Sequence, residues 1–554
     1  MNPGGNGLFR SLNSFMPYPS RRSVVMGTRG MAAASQPLAV AAGLRILEQG
    51  GNAADAAVAM AAVLAVTEPT STGLGGDCFA LYYEVNSRSV HALNGSGRAP
   101  RDLTPERIKK AGFEGALPPF HPYTITVPGA CAGWCDLLDR FGQLDLARVL
   151  APAIDLAERG FPVAPLTAHF WQRGAEAQLR HALNGHELLI DGRAPRAGEC
   201  FRNLNLSRVL QQIALGGKRA FYEGPVAEAI VSTVREAGGC LSLDDLAEHQ
   251  STWDEPLSVT YRHLRVWECP PNGQGLTALL ALNILSGFDL ASLEALSADR
   301  LHLEIEALRL AFADAFRYIA DPSFASIPVE VLLSGAYAAE RRALIHPRQA
   351  LPEVGYGNPY QGSDTVYFCV VDGQGNACSF VNSNYMGFGT GIVPRGCGFS
   401  LQNRGHNFSL DPTHPNALQP GKRPYHTIIP ALVTHADDDA LYAALGVMGG
   451  FMQPQGHVQV VTALADDALD PQTALDRPRF CLQDQSVRGL VALEEGIPEA
   501  TLVALEAMGH PVERVTGMSR ALFGRGQIIF RDRETGVLWG GSDLRADGCA
   551  FPLI

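Results

Sequence analysis

A change of sequence pattern near residue 350 is the feature that most constrains the fold. Before it, the middle third of the chain carries apolar residues at helical spacing, as in residues 298–322, where Pro322 marks the end of a helix. After it, the short apolar runs 365–372 and 376–383 are joined by Asp372-Gly373-Gln374-Gly375, which predicts a strand, a turn and a second strand. Blocks of helix and strand within one chain indicate an α+β or layered α/β protein.

The N-terminal region carries a second set of local signals. Residues 35–65 predict two Ala-rich, buried helices, separated at Gly50-Gly51-Asn52 by a glycine C-cap and a polar N-cap. The glycine-rich turn at 73–76 then leads into a strand that ends near Val85, and residues 89–96 predict a strand that pairs with it. Because no helix follows the glycines, the pattern is typical of a hairpin and not of a phosphate-binding loop.

Size and composition indicate a large globular protein. The chain of 554 residues corresponds to about three or four domains of ordinary size, or to one large enzyme fold. Hydrophobic residues make up 46% of the chain and charged residues 18%, which is enough apolar material for a large core. The 56 acidic residues outnumber the 44 basic ones and give a net charge of −12, so we expect no nucleic-acid partner.

The cysteines and the hydropathy of the chain bear on disulfides, metal sites and location in the cell. The eleven cysteines are scattered and form no CxxC pair, so neither a disulfide framework nor a zinc ribbon is indicated, and we expect no metal and no cofactor. The longest apolar run, 56–66, is shorter than the roughly 18 residues that a membrane span needs, so we expect no membrane association. Residues 1–25 lack the apolar run of a secretory signal, which predicts a cytoplasmic protein.

Common catalytic motifs do not identify a site. The sequence has no GxSxG, HExxH or Walker motif. His406, His414 and His426 lie within one stretch, but their separations of eight and twelve residues match no common metal pattern. Structural or solvated histidines are therefore the favoured interpretation.

The junction at Gly362-Ser363-Asp364-Thr365 offers a different nucleophile. Residues 351–364 are polar, contain Gly and Pro, and predict a surface linker that runs directly into the strand beginning at Thr365. If the chain is cut before Thr365, this residue gains a free α-amine, and an amine with a pKa of about 7.7–8.0 can act as general base for the Thr365 hydroxyl. The same residues also fit an ordinary transition from loop to strand.

Several sequence blocks in consistent order resemble the gamma-glutamyltranspeptidase family. They include GGNAADAAVA at 51–60, EPTSTGLGGDCF at 68–79, GVMGG at 446–450 and GGSDLRADG at 540–548, and the resemblance spans roughly residues 25–550. The departures described below are similar to a subgroup that includes gamma-glutamyltransferase-like proteins, oxamate amidohydrolase and cephalosporin acylases.

This family is a branch of the N-terminal nucleophile hydrolases, and the resemblance implies its fold and maturation. The expected fold is a four-layer αββα sandwich of the Ntn-hydrolase type, in the α+β class. The expected maturation is self-cleavage into a large subunit, 1–364, and a small catalytic subunit, 365–554, which together form one interleaved domain. A homodimer of the processed heterodimer is left open.

The resemblance also implies a mechanism centred on Thr365. Its hydroxyl would first attack the carbonyl of Asp364, and after the cut the same hydroxyl would attack an amide substrate. Gly449 and Gly450 stand where the paired glycines of the family donate N–H groups to the oxyanion; the alternative is an ordinary turn. Ser383, eighteen residues after Thr365, matches the threonine that hydrogen-bonds the nucleophile; the alternative is a serine at the end of a strand.

The positions that bind substrate in the family differ here in charge. Members that transfer γ-glutamyl groups bind the substrate α-amino group through a loop carboxylate and its neighbour, whereas this sequence has Arg404 and Asn407 at those points. Arg98 stands two positions later than the usual carboxylate-binding arginine; anion recognition by Arg98 and Arg404 is favoured over solvated charge. The other expected substrate-binding residues are Tyr385, His426 and Thr427.

These replacements predict a self-cleaving amidohydrolase that acts on a small amide with an anionic acyl group. An acyl group with a carboxylate but no α-amine suits a pocket that has lost an anion and gained a cation. Two alternatives stay open. The chain could keep the main activity of the family, which is hydrolysis or transfer of γ-glutamyl from glutathione, or it could be an uncleaved, non-catalytic binding protein.

Overall fold

The computed structural model describes residues 22–352, 364–483 and 489–554. Gly362, Ser363 and most of the predicted linker 351–364 lie outside the described residues, as does most of the segment 1–25. The surface linker therefore stays a prediction.

Helices occupy much of the chain before residue 345 and return after residue 450. They are α1 (Pro37–Glu48), α2 (Ala53–Thr67), α3 (Pro105–Lys110), α4 (Ala130–Phe141), α5 (Leu146–Arg159), α6 (Pro165–Gly174), α7 (Leu204–Gly216), α8 (Arg219–Tyr222), α9 (Pro225–Glu236), α10 (Leu243–Ala247), α11 (Gly275–Leu285), α12 (Ala298–Tyr318), α13 (Val329–Leu332), α14 (Gly335–Arg342), α15 (Met452–Ala465), α16 (Pro471–Asp476) and α17 (Glu499–Ala507). None of the helices in the described ranges has both the length and the hydropathy to cross a membrane.

Strands are spread over the whole described chain. They are β1 (Val25–Gly27), β2 (Met31–Ala34), β3 (Asp77–Glu84), β4 (Ser89–Gly95), β5 (Phe161–Pro162), β6 (Cys200–Phe201), β7 (Thr252–Asp254), β8 (Leu257–Tyr261), β9 (Leu264–Glu268), β10 (Asp364–Val371), β11 (Ala377–Tyr385), β12 (Ala431–His435), β13 (Leu441–Met448), β14 (Phe480–Leu482), β15 (Val491–Glu494), β16 (Val512–Val515), β17 (Arg525–Arg531), β18 (Leu538–Ser542) and β19 (Cys549–Pro552).

Two seven-stranded antiparallel sheets form the centre of the molecule. One has the order β1-β18-β17-β13-β12-β9-β8, and the other has the order β19-β2-β10-β11-β3-β4-β7. Both sheets combine strands from either side of residue 364. In the second sheet, for example, β2 lies between β19 and β10, and β11 lies next to β3.

The side chains of β10 alternate between two hydrophobic layers, as a strand buried on both faces requires. Val366, Phe368 and Val370 pack against the cluster that contains α1, α2, α4 and α5. Tyr367 and Cys369 point to the other face and join the cluster between the two sheets. The far face of the other sheet packs on α11, α12 and α15. The order of layers is therefore helix, sheet, sheet, helix, which confirms the predicted four-layer αββα sandwich.

The local predictions for the N-terminal region are confirmed. Helix α1 ends before Gly50, and α2 begins after Asn52, whose side chain accepts from the N–H groups of Ala54 and Asp55. The Asp55 side chain accepts in turn from the N–H of Asn52, so the predicted N-cap is a full capping box. Strands β3 and β4 pair as the predicted hairpin.

One long segment after β11 is irregular. Residues 386–430 contain no named strand, and their one short helical element is a 3₁₀ turn at Arg404–Asn407. Most of the segment is nevertheless buried. Six of its glycines have φ between 51° and 76°, a region that favours glycine, namely Gly387, Gly389, Gly391, Gly396, Gly398 and Gly421. Irregular segments of this length are usually functional, and this one carries several of the predicted site residues.

Candidate active site

Thr365 lies at an irregularity between β10 and β11. Asp364 pairs with Tyr385, and Val366 pairs with Asn382, so one residue of β10 stands opposite two residues of β11. Such a bulge re-aims the side chain at that point. The Thr365 Oγ1 atom lies 3.0 Å from the Oγ of Ser383, and both residues are fully buried. The predicted partnership across eighteen residues is thus a direct hydrogen bond.

The Ser383 hydroxyl also contacts Tyr385 and Arg404. The Ser383 Oγ accepts from the backbone N–H of Tyr385 at 2.8 Å and from Nη2 of Arg404 at 3.3 Å. The Ser383 hydroxyl therefore joins Thr365, the backbone of Tyr385 and the guanidinium of Arg404 in one hydrogen-bonded group. Tyr385 has φ of 78°, a conformation that costs a non-glycine residue about 1–3 kcal/mol.

Arg404 is a buried cation beside this pair. Its Nη1 donates to Thr427 Oγ1 at 2.7 Å, and its guanidinium carbon lies 4.3 Å from the centre of the Tyr385 ring. The residue is fully buried. Burial lowers the pKa of Arg404 to about 10, while nearby Asp77 opposes that shift. At neutral pH the guanidinium is thus charged, although much of it is already engaged within the protein.

Asp77, the first residue of β3, was not among the predicted site residues. Its Oδ2 accepts from His426 Nε2 at 3.1 Å and lies 3.9 Å from Arg404 Nε, while its Oδ1 accepts from the N–H of Gly97 at 2.9 Å. Burial, followed by the charge of Arg404, lowers the pKa of His426 to about 3. His426 is therefore neutral, and Asp77 and Arg404 form the charged pair of the site. A signal was present in the sequence: an acidic residue between two glycines and a strongly apolar strand.

Asn407 orients the Tyr385 ring. The Tyr385 hydroxyl donates to Asn407 Oδ1 at 2.6 Å, and Asn407 Nδ2 donates to the carbonyl of Tyr425 at 3.0 Å. Tyr385 is thus held by Asn407 at its hydroxyl and by Arg404 across its ring face. This aromatic side chain forms one wall around the guanidinium.

The two glycines predicted for the oxyanion site lie between β13 and α15. Gly449 has φ of 133° and Gly450 has φ of 59°. Their carbonyls accept from the first N–H groups of α15, and neither glycine N–H donates to a protein acceptor within the described residues. Gln274 Nε2 donates both to the carbonyl of Gly450 and to the carbonyl of Thr427, at 2.8 and 2.5 Å. Gln274, another residue that the sequence did not single out, thereby joins the glycines to the contacts of Arg404.

The glycine-rich turn before β3 allows the strands of the site to approach closely. A Cβ atom on Gly76 would lie 2.3 Å from the Ser383 carbonyl oxygen, and one on Gly75 would lie 2.1 Å from the Ser400 carbonyl oxygen. Any side chain at either position would collide with backbone. The turn that the sequence assigns to a hairpin thus also supports the chain around Ser383.

Arg98 occupies a different position from the other predicted residues. It lies half-buried in the loop after β4, and its carbonyl accepts from the N–H of Val127 at 3.0 Å. Its positive charge acts, after burial, to lower the pKa of Arg423 to about 10. Within the described residues, its guanidinium makes no hydrogen bond and no recorded contact with Thr365 or Arg404. Its predicted role in binding a carboxylate stays a prediction.

Potential metal ligands cluster elsewhere in the molecule. His302, Glu306 and His510 are buried, with one ligand atom each within 4.8 Å of the others. His302 Nε2 donates to the carbonyl of His346 at 2.7 Å, and its Nδ1 lies 2.7 Å from His510 Nε2. Two nitrogens on one tetrahedral zinc would stand about 3.3 Å apart, given bonds of about 2.0–2.1 Å. The arrangement is therefore that of a hydrogen-bonded histidine pair.

The remaining histidines singled out in the sequence also bond to carbonyls. His406 Nδ1 donates to Leu117 O at 2.6 Å, and His414 Nε2 donates to Phe316 O at 3.0 Å. These contacts fix chain segments in place, in agreement with the structural interpretation.

Comparison with known proteins places the chain among hydrolases. Residues 39–553 match the family described as gamma-glutamyltranspeptidase. A glutathione hydrolase-like YwrD proenzyme of Bacillus subtilis is 39% identical, with 96% of this chain and 99% of the relative covered. An oxamate amidohydrolase proenzyme of Klebsiella pneumoniae is 36% identical, with 95% and 98% covered. The crystal structure of a cephalosporin acylase from Bacillus halodurans superposes with a TM-score of 0.89 at 47% identity, covering 97% of this chain and 98% of that one.

Proposed function

The chain is an enzyme of the gamma-glutamyltranspeptidase family, and on this premise we propose that it cuts itself before Thr365 and then hydrolyses a small amide with an anionic acyl group. The observation that carries the proposal is the Thr365–Ser383 hydrogen bond beside the buried cation of Arg404. The matching relatives named as proenzymes support a processed precursor.

Self-cleavage begins with attack of Thr365 Oγ1 on the carbonyl carbon of Asp364. The C–N bond between these residues breaks, the nitrogen becomes the α-amine of Thr365 and takes the hydroxyl proton, and an ester joins the Asp364 acyl group to Oγ1. Water then hydrolyses the ester, leaving a new carboxylate on residue 364 and a free hydroxyl on Thr365. The Ser383 hydroxyl, 3.0 Å from Thr365 Oγ1, supports this step because it holds the nucleophile in one position.

Substrate hydrolysis repeats the chemistry on an external amide. The Thr365 α-amine takes the hydroxyl proton as Oγ1 attacks the substrate carbonyl, and the N–H groups of Gly449 and Gly450 stabilise the oxyanion. The amine proton passes to the leaving nitrogen as the C–N bond breaks. Water, deprotonated by the same amine, then cleaves the acyl ester and releases the carboxylic acid.

The charges near Thr365 favour an acyl group without an α-ammonium. An ammonium next to Ser383 would face the Arg404 guanidinium, and the nearby Asn407 is a neutral amide already bonded to Tyr385. Arg98, half-buried and next in the chain to Gly97, whose N–H donates to Asp77, is the group that we assign to the acyl carboxylate. A dicarboxylic monoamide is the substrate class that fits these charges.

The burial of Thr365 explains why such an enzyme would be made as a precursor. In the described part of the intact chain neither Thr365 nor Ser383 has exposed surface, so Oγ1 is closed to an external amide there. Processing would have to open a path as well as free the amine. We therefore expect no substrate turnover from the unprocessed chain.

Denaturing gel electrophoresis tests the cleavage. Scaling the 59.3 kDa chain by 364 and by 190 of its 554 residues predicts bands of about 39 and 20 kDa. Thr365→Ala should stay at full length, whereas Thr365→Ser, which keeps a hydroxyl, should still be cut. A single full-length band from the wild-type protein would favour the non-catalytic binding protein and end the proposal.

Turnover of matched anilides tests the substrate class. We expect glutaryl-p-nitroanilide to be hydrolysed faster than γ-glutamyl-p-nitroanilide, which differs only by the α-amine, and oxamate should be compared in the same assay. The relatives named as glutathione hydrolases make γ-glutamyl hydrolysis the second candidate. A clear preference for the γ-glutamyl compound would select that candidate and overturn the charge argument.

A further inference from the structure

A buried carboxylate stands across the sheet from the serine that contacts the nucleophile. Asp77 pairs directly with Ser383 in the β3–β11 register, and neither residue has exposed surface. We propose that Asp77 is a positioning residue: it holds the Arg404 guanidinium against Ser383 and so aims the Ser383 hydroxyl at Thr365. This inference rests on the proposed function of Thr365.

The contacts of Asp77 require a carboxylate. Both of its oxygens accept hydrogen bonds, one from the N–H of Gly97 and the other from His426 Nε2. His426 Nδ1 is in turn the acceptor for the N–H of Ile428 at 3.4 Å, which keeps the imidazole proton on Nε2. An amide at position 77 would point its own N–H at one of these two donors. Asp77 is therefore an acceptor at both oxygens and carries a full negative charge.

A buried charge of this kind is strongly unfavourable without a partner, and Arg404 places a guanidinium nitrogen 3.9 Å from it. The Arg404 Nε faces Asp77 Oδ2 at 3.9 Å, while Nη1 donates to Thr427. Because a guanidinium is planar and rigid, fixing it on these two sides also fixes the direction of Nη2. That third nitrogen is the one that donates to Ser383.

The consequence of removing the carboxylate follows from this geometry. In Asp77→Asn, Arg404 becomes a buried cation without a counter-charge, free to turn toward any anion that enters the site. Ser383 then loses its fixed donor, and misplacement of a reacting group by about 1 Å can cost about 100-fold in rate. We expect kcat to fall by about 10- to 100-fold. We expect KM for a glutaryl anilide to stay unchanged or to fall, because the freed cation attracts the acyl carboxylate.

A double-variant cycle separates this role from general support of the fold. Asp77→Asn, Arg404→Gln and the double variant are made in the Thr365→Ala precursor, and their melting temperatures are measured. If the two residues act as a pair, the double variant melts well above the temperature expected from adding the two single losses. Asp55, another fully buried carboxylate held by backbone N–H groups, provides the matched control, and Asp55→Asn should be additive with Arg404→Gln.

The outcomes distinguish this inference from the proposed function. Melting of the precursor needs no activity, so the cycle can be read even if the wild-type chain is never cut. The positioning role of Asp77 would be overturned if the decreases in melting temperature of Asp77→Asn and Arg404→Gln simply added in the double variant. It would also be overturned if Asp77→Asn raised KM and left kcat unchanged. Failure of wild-type processing would instead remove the proposed function and leave only the structural pair.

Discussion

Ser383 is the point at which the site can be perturbed with least ambiguity. Its Oγ makes hydrogen bonds to Thr365, to the N–H of Tyr385 and to Arg404, at 3.0, 2.8 and 3.3 Å. Ser383→Ala removes all three while changing the volume of the side chain very little. Ser383→Thr keeps the hydroxyl and serves as the conservative variant.

Two magnitudes follow for Ser383→Ala. The N–H of Tyr385 and the Nη2 of Arg404 lose a buried acceptor, and each unsatisfied donor costs about 1–3 kcal/mol, so the free energy of unfolding should fall by about 2–6 kcal/mol. Loss of the hydrogen bond to Thr365 Oγ1 removes a further interaction of about 1–2 kcal/mol from the nucleophile, which corresponds to a decrease in kcat of about 5- to 30-fold. KM should change little because Ser383 contacts the nucleophile and not the acyl group.

The assay measures chemical denaturation and p-nitroanilide turnover of the same preparations. Ser379→Ala is the matched control, since Ser379 is buried on the same strand and bonds to the Tyr367 hydroxyl at 2.9 Å, away from the nucleophile. The control should lose stability and keep kcat per processed molecule. If Ser383→Ala keeps kcat within twofold of the wild type, or if Ser379→Ala loses as much, the role assigned to the Thr365–Ser383 hydrogen bond is wrong.

Three further predictions concern packing, pH and thiols. Gly76→Ala should slow processing and lower the melting temperature, because its Cβ would lie 2.3 Å from the Ser383 carbonyl oxygen. Gly335→Ala is the control and should do neither, since a Cβ at Gly335 would have no atom within 4 Å. Equal behaviour of the two variants on a gel and in thermal melts would refute the packing argument. Burial lowers the pKa of three histidines to about 3, so the folded protein holds each of them neutral while the unfolded chain protonates them below about pH 6.5. These histidines are His249, His426 and His510. The folded protein should therefore lose stability progressively as the pH falls from about 6.5 toward 3. A melting temperature that stays flat from pH 7 to pH 4 would contradict this. Of the eleven cysteines, Cys200 is exposed, Cys549 is partly buried and the rest are buried. A thiol reagent should therefore label Cys200 first in the native protein, and Cys200→Ser should abolish the fast phase of labelling. Fast labelling of several thiols would contradict the packing of the core.

Short-range patterns predicted much of the fold. Asn52 and its flanking glycines separate α1 from α2 because capping depends on a few neighbouring residues. The contact between Thr365 and Ser383 follows from the hairpin of β10 and β11, since residues at similar distances on either side of the tight turn must face each other. The spacing of strand, turn and strand therefore accounts for the contact between Thr365 and Ser383, whereas the role of Thr365 as nucleophile came from the family resemblance.

The charged part of the site could not be derived in this way. Asp77 and His426 are 349 positions apart in the chain, and Arg404 and His426 lie in the irregular segment 386–430, where no periodicity marks which side chains turn inward. Anion recognition by Arg404 was expected from its charge at a position where the family binds the substrate. The structure adds that Ser383, Thr427 and Asp77 already surround its guanidinium, an arrangement that depends on contacts between distant strands.

The sharing of both sheets between the regions before and after residue 364 has a consequence for refolding. Strands β10 and β11 hydrogen-bond to β2 and β3 on their two sides, so neither region can complete its sheet alone. An intact chain folds by a first-order process, whereas a chain cut after residue 364 must reassemble from two molecules at a rate that depends on concentration. Denaturation would thus be readily reversible for the Thr365→Ala precursor. For the processed enzyme it would be effectively irreversible at low protein concentration. The cut that activates the enzyme would then also limit its lifetime, because a processed molecule that unfolds could not refold without its other subunit.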